Sequence, residues 1–189
     1  MMEIKGNMMS VREDVRVLDA TLRDGGLVND FYFTDDFVYD LYKANLDAGV
    51  DYMEFGYCAD KKQFDVNKFG KWKFAEDEAI REIVGDNDTD MKISIMADVG
   101  RCDYKHSIRD RADSPVDLIR VATYINTMPE AIAMIEDAAA KGYETICNIM
   151  AISKCQERDI QTALEMLAKS SVKGVYAVSY THLTLPTIL

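Results

Sequence analysis

The nine residues LDATLRDGG, Leu18 to Gly26, decide how this chain is read. They close an apolar run, VRVLDATL from Val15 to Leu22, and place four polar side chains, Asp19, Thr21, Arg23 and Asp24, just ahead of two glycines. Read as a strand, the run alternates with period two, so Val17, Asp19, Thr21 and Arg23 share one face. Gly25 and Gly26 then allow a sharp turn that brings both Arg23 and Asp24 to the strand's end. A polar cluster at a strand's C-terminal end is where parallel α/β architectures place their chemistry. The residues alone also allow a plainer reading, an Arg–Asp surface pair in a glycine turn.

Working outward, short apolar runs alternate with amphipathic segments. DDFVYDLYKANLDA, Asp35 to Ala48, repeats its apolar residues at three- and four-residue steps and stops at Gly49, which predicts a helix. Further strands are expected at Asp51 to Phe55, Met91 to Ala97, Asp117 to Ala122, Glu144 to Met150 and Gly174 to Val178. Helices are expected near Phe74 to Val84, Pro129 to Lys141 and Gln156 to Ser170, with a short helix or exposed loop over Arg101 to Asp113. Pro129 falls in a first turn, where its missing N–H matters little. Strand and helix in alternation predict a parallel sheet with crossover helices. Strand starts recur about every 32 residues, against roughly 31 per unit in a (β/α)8-barrel of about 250 residues. The fold class expected is therefore α/β, an incomplete (β/α)8 TIM barrel of about five and a half units. An open doubly wound sheet competes, but the first strand-to-helix turn lacks both G-x-G-x-x-G and G-x-x-x-x-G-K.

Composition narrows the function classes. The chain has 189 residues and a net charge of −11, which argues against nucleic-acid or anionic-membrane partners. No apolar run approaches the roughly 20 residues of a membrane span, and MMEIKGNMMSVRED lacks a secretory core, so a cytoplasmic location is expected. Cys58, Cys102, Cys147 and Cys155 show no C-x-x-C pair and read as reduced thiols in packing or surface roles. Residues 1–14 read as an N-terminal extension and 15–178 as the barrel domain. SYTHLTLPTIL, Ser179 to Leu189, carries no formal charge and reads as a non-native scar.

T-L-R-D-G at the close of a first strand resembles the metal-dependent aldolases and lyases related to 3-hydroxy-3-methylglutaryl-CoA lyase, isopropylmalate synthase and 4-hydroxy-2-oxovalerate aldolase. DYMEFGY, Asp51 to Tyr57, is similar to their second strand, which ends in an acidic residue. KKQFDVNKFGKWKF, DLIRVATY and CNIMAIS look most like the aldolase branch, and the resemblance covers about Val15 to Val178. It implies that Asp24 ligates a divalent cation, Mg²⁺ or Mn²⁺, that Arg23 steadies an enolate oxygen, and that Glu54 supports the arginine or a metal-bound water. By residue chemistry alone, Glu54 also suits an interior carboxylate paired with a basic side chain such as Arg120. Asn148, Gly56 and Tyr57 are the expected substrate-side residues, with an interior amide and a packing ring as the plainer alternatives for Asn148 and Tyr57. Met96 and Met150 read as packing residues.

The implied reaction is cleavage of a carbon–carbon bond beside the carbonyl of a small 4-hydroxy-2-oxo acid. The same resemblance also admits an acyl-CoA/2-oxo-acid condensing enzyme, and the residues admit a non-catalytic scaffold. Two positions depart from the family pattern. A histidine expected three residues after the metal aspartate is Leu27, so no general base is identified. The H-x-H metal ligands have no counterpart: His106 reads as a surface histidine and His182 falls in the scar. The chain is therefore expected to be a C-terminally truncated barrel with little or no turnover. Its unclosed sheet is expected to self-associate, as a homo-oligomer or aggregate.

Overall fold

The computed structural model describes residues 15–178. The N-terminal extension, the suspected scar and His182 lie outside the described residues. Six strands form one parallel sheet in the order β1-β2-β3-β4-β5-β6: Leu18–Asp19, Tyr52–Tyr57, Lys92–Asp98, Leu118–Thr123, Glu144–Ile149 and Gly174–Ala177. The helices are α1 (Thr21–Asn29), α2 (Asp35–Ala48), α3 (Asp77–Val84), α4 (Tyr104–Ser107), α5 (Met128–Ala140) and α6 (Glu157–Leu167).

Strand order separates the two architectures left open by the sequence. A doubly wound sheet reverses direction at a switch point, whereas here every strand pairs with its sequence neighbour. Right-handed crossovers that always step the same way put every helix on the same face. The result is a curled half-barrel, with α5 packed on β4 and β5. Met53, Phe55, Ile93, Ile95, Ile119, Val121, Cys147 and Ile149 form the buried layer under the helices. The residues between them, by the period-two pleat, point to the inner face.

Local signals fix most elements. α2 begins where the Thr34 side chain accepts the Phe37 N–H and ends at Gly49, whose φ of 70° a side chain would oppose. Pro129 sits in the first turn of α5. No helix among the described residues is long and apolar enough to cross a membrane.

The opening stretch differs from its sequence reading. The strand expected over Val15 to Leu22 is only Leu18–Asp19, and TLRDGG lies inside α1 rather than in a strand and glycine turn. Asp19 turns the chain early: its carboxylate accepts the Thr21 N–H at 3.2 Å and the Thr21 hydroxyl at 2.7 Å. Asp24 N–H then bonds Ala20 O, the first helical bond. The glycines serve packing, since a Cβ on Gly26 would collide with the buried ring of Phe31. Helix geometry still delivers Arg23 to the inner face and Asp24 to the rim.

Candidate active site

Glu54, on β2, is fully buried, and its Oε2 accepts two charged hydrogen bonds. Arg23 Nε donates to it at 2.7 Å from α1, and Arg120 Nη1 donates at 2.7 Å from β4. Both guanidiniums are themselves about 95% buried. Arg23 Nη1 also pairs with Asp24, whose side chain is 55% exposed. Arg120 Nη2 donates to Asn148 Oδ1 on β5 at 3.3 Å, and its guanidinium lies 4.8 Å from the centre of the Tyr176 ring on β6. Four strands and one helix thus converge on one polar knot, with Glu54 and Arg120 midway along β2 and β4 and Asn148 near the end of β5.

Register explains how Tyr57 joins it. Glu54 pairs with Ser94 but Tyr57 pairs with Met96, so β2 spends three steps where β3 spends two. The extra residue is a β-bulge, which puts Glu54 and Tyr57 on one face despite their odd spacing. The Tyr57 ring centre lies 6.0 Å from the Arg23 guanidinium. Gly56 sits in the bulge, where a Cβ would collide with the Trp72 carbonyl oxygen, so its contact is with backbone beneath the helices.

Of the residues singled out in the sequence, Arg23, Asp24, Glu54, Tyr57 and Asn148 come together, and Gly56 shapes the strand beside them. Met96 is buried and Met150 packs against the core. Leu27 is exposed. His106 lies outside the knot, with its exposed Nδ1 2.8 Å from Asp103 Oδ1.

Two residues were not singled out. Asp98 ends β3, two and four residues past the inward Met96 and Ser94, and opposite Ala122. Its Oδ1 is buried and has no hydrogen-bond partner among the described residues. Burial pushes its carboxyl above the usual range, against the pull of Arg101, Lys73 and Arg23. Lys73 reaches the same region, with its ammonium 4.9 Å from the Phe31 ring centre, 4.6 Å from Tyr57 and 4.5 Å from Phe64. Burial lowers its pKa although Asp98 works the other way, and the three rings favour the cation. The sequence signal for Asp98 was available: like Glu54, it is a carboxylate at the C-terminal part of an apolar strand.

The charges give the knot a sign. Arg23, Arg120 and Lys73 face Glu54 and Asp24, with Asp98 disfavoured as an anion. Burial raises the Tyr57 phenol, with Arg23 opposing, so Tyr57 stays neutral. Within a chain of net charge −11, this is a cluster with three cationic side chains against two carboxylates, a setting suited to a small anion. Glu54 Oε1 and Arg120 Nε are buried and without partners among the described residues.

A divalent cation fits less well. Mg²⁺ takes about six oxygen ligands and usually keeps several waters, with one or two carboxylates. Asp24 offers one carboxylate, already shared with Arg23, and among the described residues no group of three or more His, Cys, Asp or Glu side chains forms that could hold a metal. These residues do not by themselves make a metal site.

No protein-family model matches the chain. It is 23% identical over 168 residues to 4-hydroxy-2-oxovalerate aldolase 6 of Rhodococcus jostii (strain RHA1), covering 88% of this chain and 46% of that protein. The crystal structure of the N-terminal domain of a candidate aldolase from Bacteroides vulgatus matches with a TM-score of 0.56 and 20% identity, over 82% of this chain and 61% of that one. The chain thus spans less than half the length of the curated relative. In sequence it is a remote relative of a protein named as an aldolase, and in fold it is similar to the N-terminal domain of another.

Proposed function

We propose that this chain carries the inner-face site of a carbon–carbon lyase, an aldolase acting on a 4-hydroxy-2-oxo acid, on the first six strands of a (β/α)8-barrel. One observation carries the reading: two buried guanidiniums, Arg23 and Arg120, share a single oxygen of Glu54. Glu54 and Asp24 balance the two arginines, and Lys73, against the Tyr57 ring, adds the excess positive charge. Such an arrangement suits the carboxylate and developing enolate oxygen of a 2-oxo acid.

In this reading Arg23 faces the C2 oxygen, held in orientation by Glu54, which Arg120 holds in turn. Asn148 commits its carbonyl oxygen to Arg120 and keeps its amide N–H donors for a substrate oxygen. Tyr57 closes one side. Asp98, as carboxylate, takes the proton of the 4-hydroxyl. The C3–C4 bond then breaks, its electron pair passes to the C2 oxygen as an enolate beside Arg23, and an aldehyde leaves. Asp98 returns the proton to C3, giving the shorter 2-oxo acid. The raised pKa of Asp98 suits it to both transfers. A Mg²⁺ or Mn²⁺ ion on Asp24 belongs to the expectation drawn from sequence, and no step here runs through it.

The test is binding of oxalate, a planar mimic of the pyruvate enolate, measured by titration calorimetry on the purified chain. Arg23→Gln and Arg120→Gln are each expected to weaken binding at least about tenfold, or roughly 1.4 kcal/mol. Oxalate that fails to bind, or binds both variants as well as the parent, overturns the proposal.

A further inference from the structure

Two thiols lie beside this site without taking part in it. Cys58 is the first residue after β2, and Cys102 lies four residues past the end of β3. Both are buried, and Cys102 Sγ donates its hydrogen to Cys58 Sγ across 3.0 Å. Backbone bonds set that approach. Cys58 N–H donates to Met96 O at 2.8 Å, and Asp60 N–H donates to Arg101 O at 2.8 Å. The two strand exits are therefore tied on either side of the sulfurs. A disulfide bond is about 2.05 Å long, so the sulfurs need to close by only about 1 Å. Cys147 and Cys155, by contrast, have no second sulfur as partner: Cys147 is buried alone, and Cys155 Sγ faces Ala151 O at 3.7 Å.

Access distinguishes the two. Cys58 lines a cavity of about 320 Å³ between the β2 exit and the segments carrying α3 and α4, and Cys102 does not. A small molecule entering that cavity meets Cys58 first, with Cys102 behind it. The bond to Cys58 and burial both keep the Cys102 thiol protonated, which fits its place as the proton donor of the pair.

We propose that Cys58 and Cys102 form a reversible dithiol–disulfide site whose oxidant is a small hydroperoxide. The peroxide transfers its terminal oxygen to the Cys58 sulfur, giving a sulfenic acid and releasing the alcohol, or water from hydrogen peroxide. The Cys102 sulfur then attacks the Cys58 sulfur. The S–S bond forms, the S–O bond breaks, and the departing hydroxide leaves as water with the Cys102 proton. Two electrons pass from the two thiols to the peroxide. The new bond joins the exits of β2 and β3 beside Tyr57 and Asp98. The proposal stands independently of the lyase reading.

The experiment titrates the fully reduced chain with hydrogen peroxide and follows intact mass and peptide maps. Oxidation of the parent is expected to lower the mass by about 2 Da and link the Cys58 and Cys102 peptides within one chain, reversed by dithiothreitol. Free thiols are expected to fall from four to two. Cys102→Ala is expected to stop at the Cys58 sulfenic acid, about 16 Da heavier and trapped by dimedone. Because the parent map alone is decisive, a variant that fails to fold leaves the test intact. Four unmodified thiols after excess peroxide, or a map linking other cysteines or separate chains, overturns the proposal.

Discussion

Glu54→Gln is the substitution that most directly tests the polar knot. The change keeps the side chain's shape and removes its charge. Two guanidiniums, each about 95% buried, then converge on a neutral amide. Removing one partner from a buried ion pair costs about 3–5 kcal/mol, and two charge-assisted bonds at roughly 1.5–3 kcal/mol each give a similar range. A domain of this kind has about 5–15 kcal/mol of stability in all, so the loss is a large share of it. With a urea slope of about 2 kcal/mol per molar, the unfolding midpoint is expected to fall by roughly 1.5–2.5 M. Arg120→Met is expected to cost less, because Glu54 keeps Arg23. Replacing all three, Arg23→Met with Glu54→Leu and Arg120→Met, is expected to recover most of the loss, since no buried charge is left unpaired. Urea curves followed by circular dichroism measure the series. A Glu54→Gln midpoint within about 0.25 M of the parent, equivalent to about 0.5 kcal/mol, or a triple variant no more stable than Glu54→Gln, refutes the argument.

Three other substitutions probe packing and titration. Gly56→Ala drives a Cβ into the Trp72 backbone carbonyl, which cannot rotate away, and is expected to destabilise by more than the roughly 1–3 kcal/mol of ordinary overpacking, read as loss of soluble yield or of the thermal transition. Gly26→Ala gains about 1 kcal/mol of helix propensity but meets the Phe31 ring, so a net fall of about 1–2 kcal/mol is expected; an unchanged or higher melting temperature would show that Phe31 yields. The raised pKa of Asp98 means that its ionised form is less favourable in the fold than in the unfolded chain. That penalty is absent below a pH of about 4 and complete above the folded pKa, so Asp98→Asn is expected to be more stable than the parent at pH 7, with the gap closing as pH falls towards 4. Urea midpoints at three pH values check this, and a gap independent of pH counts against a buried, ionising Asp98.

The parts of the fold that were legible are those settled by neighbours in sequence. α2 runs from Asp35 to Ala48 as its periodicity predicts, because Thr34 and Gly49 bound it locally. TLRDGG misled because its conformation is settled by the Asp19–Thr21 hydrogen bonds and by the approach of Phe31 to Gly26, and the second is a tertiary contact that alternation of polar and apolar residues does not encode. That Arg23 and Glu54 would meet was legible, and so was Arg120 as a partner for Glu54. That both arginines bond the same oxygen is a property of three elements meeting. Tyr57 shares a face with Glu54 only through the bulge, which a strict alternation would deny. Asp98 carried a signal in sequence, a carboxylate closing an apolar strand, but the burial of its Oδ1 without a hydrogen-bond partner among the described residues exists only once the strands are side by side.

The unbroken sequence of strand pairings also bears on how the chain is made. Each strand that leaves the ribosome finds its partner already synthesised, so the sheet can grow by accretion during translation. The polar knot matures in the same order. Arg23 meets Glu54 as soon as β2 docks, and Arg120 arrives two strands later, 66 residues further along the chain than Glu54. A nascent chain halted between those points holds one compensated ion pair rather than a stranded arginine, and protease protection of ribosome-stalled chains should rise stepwise with each strand released.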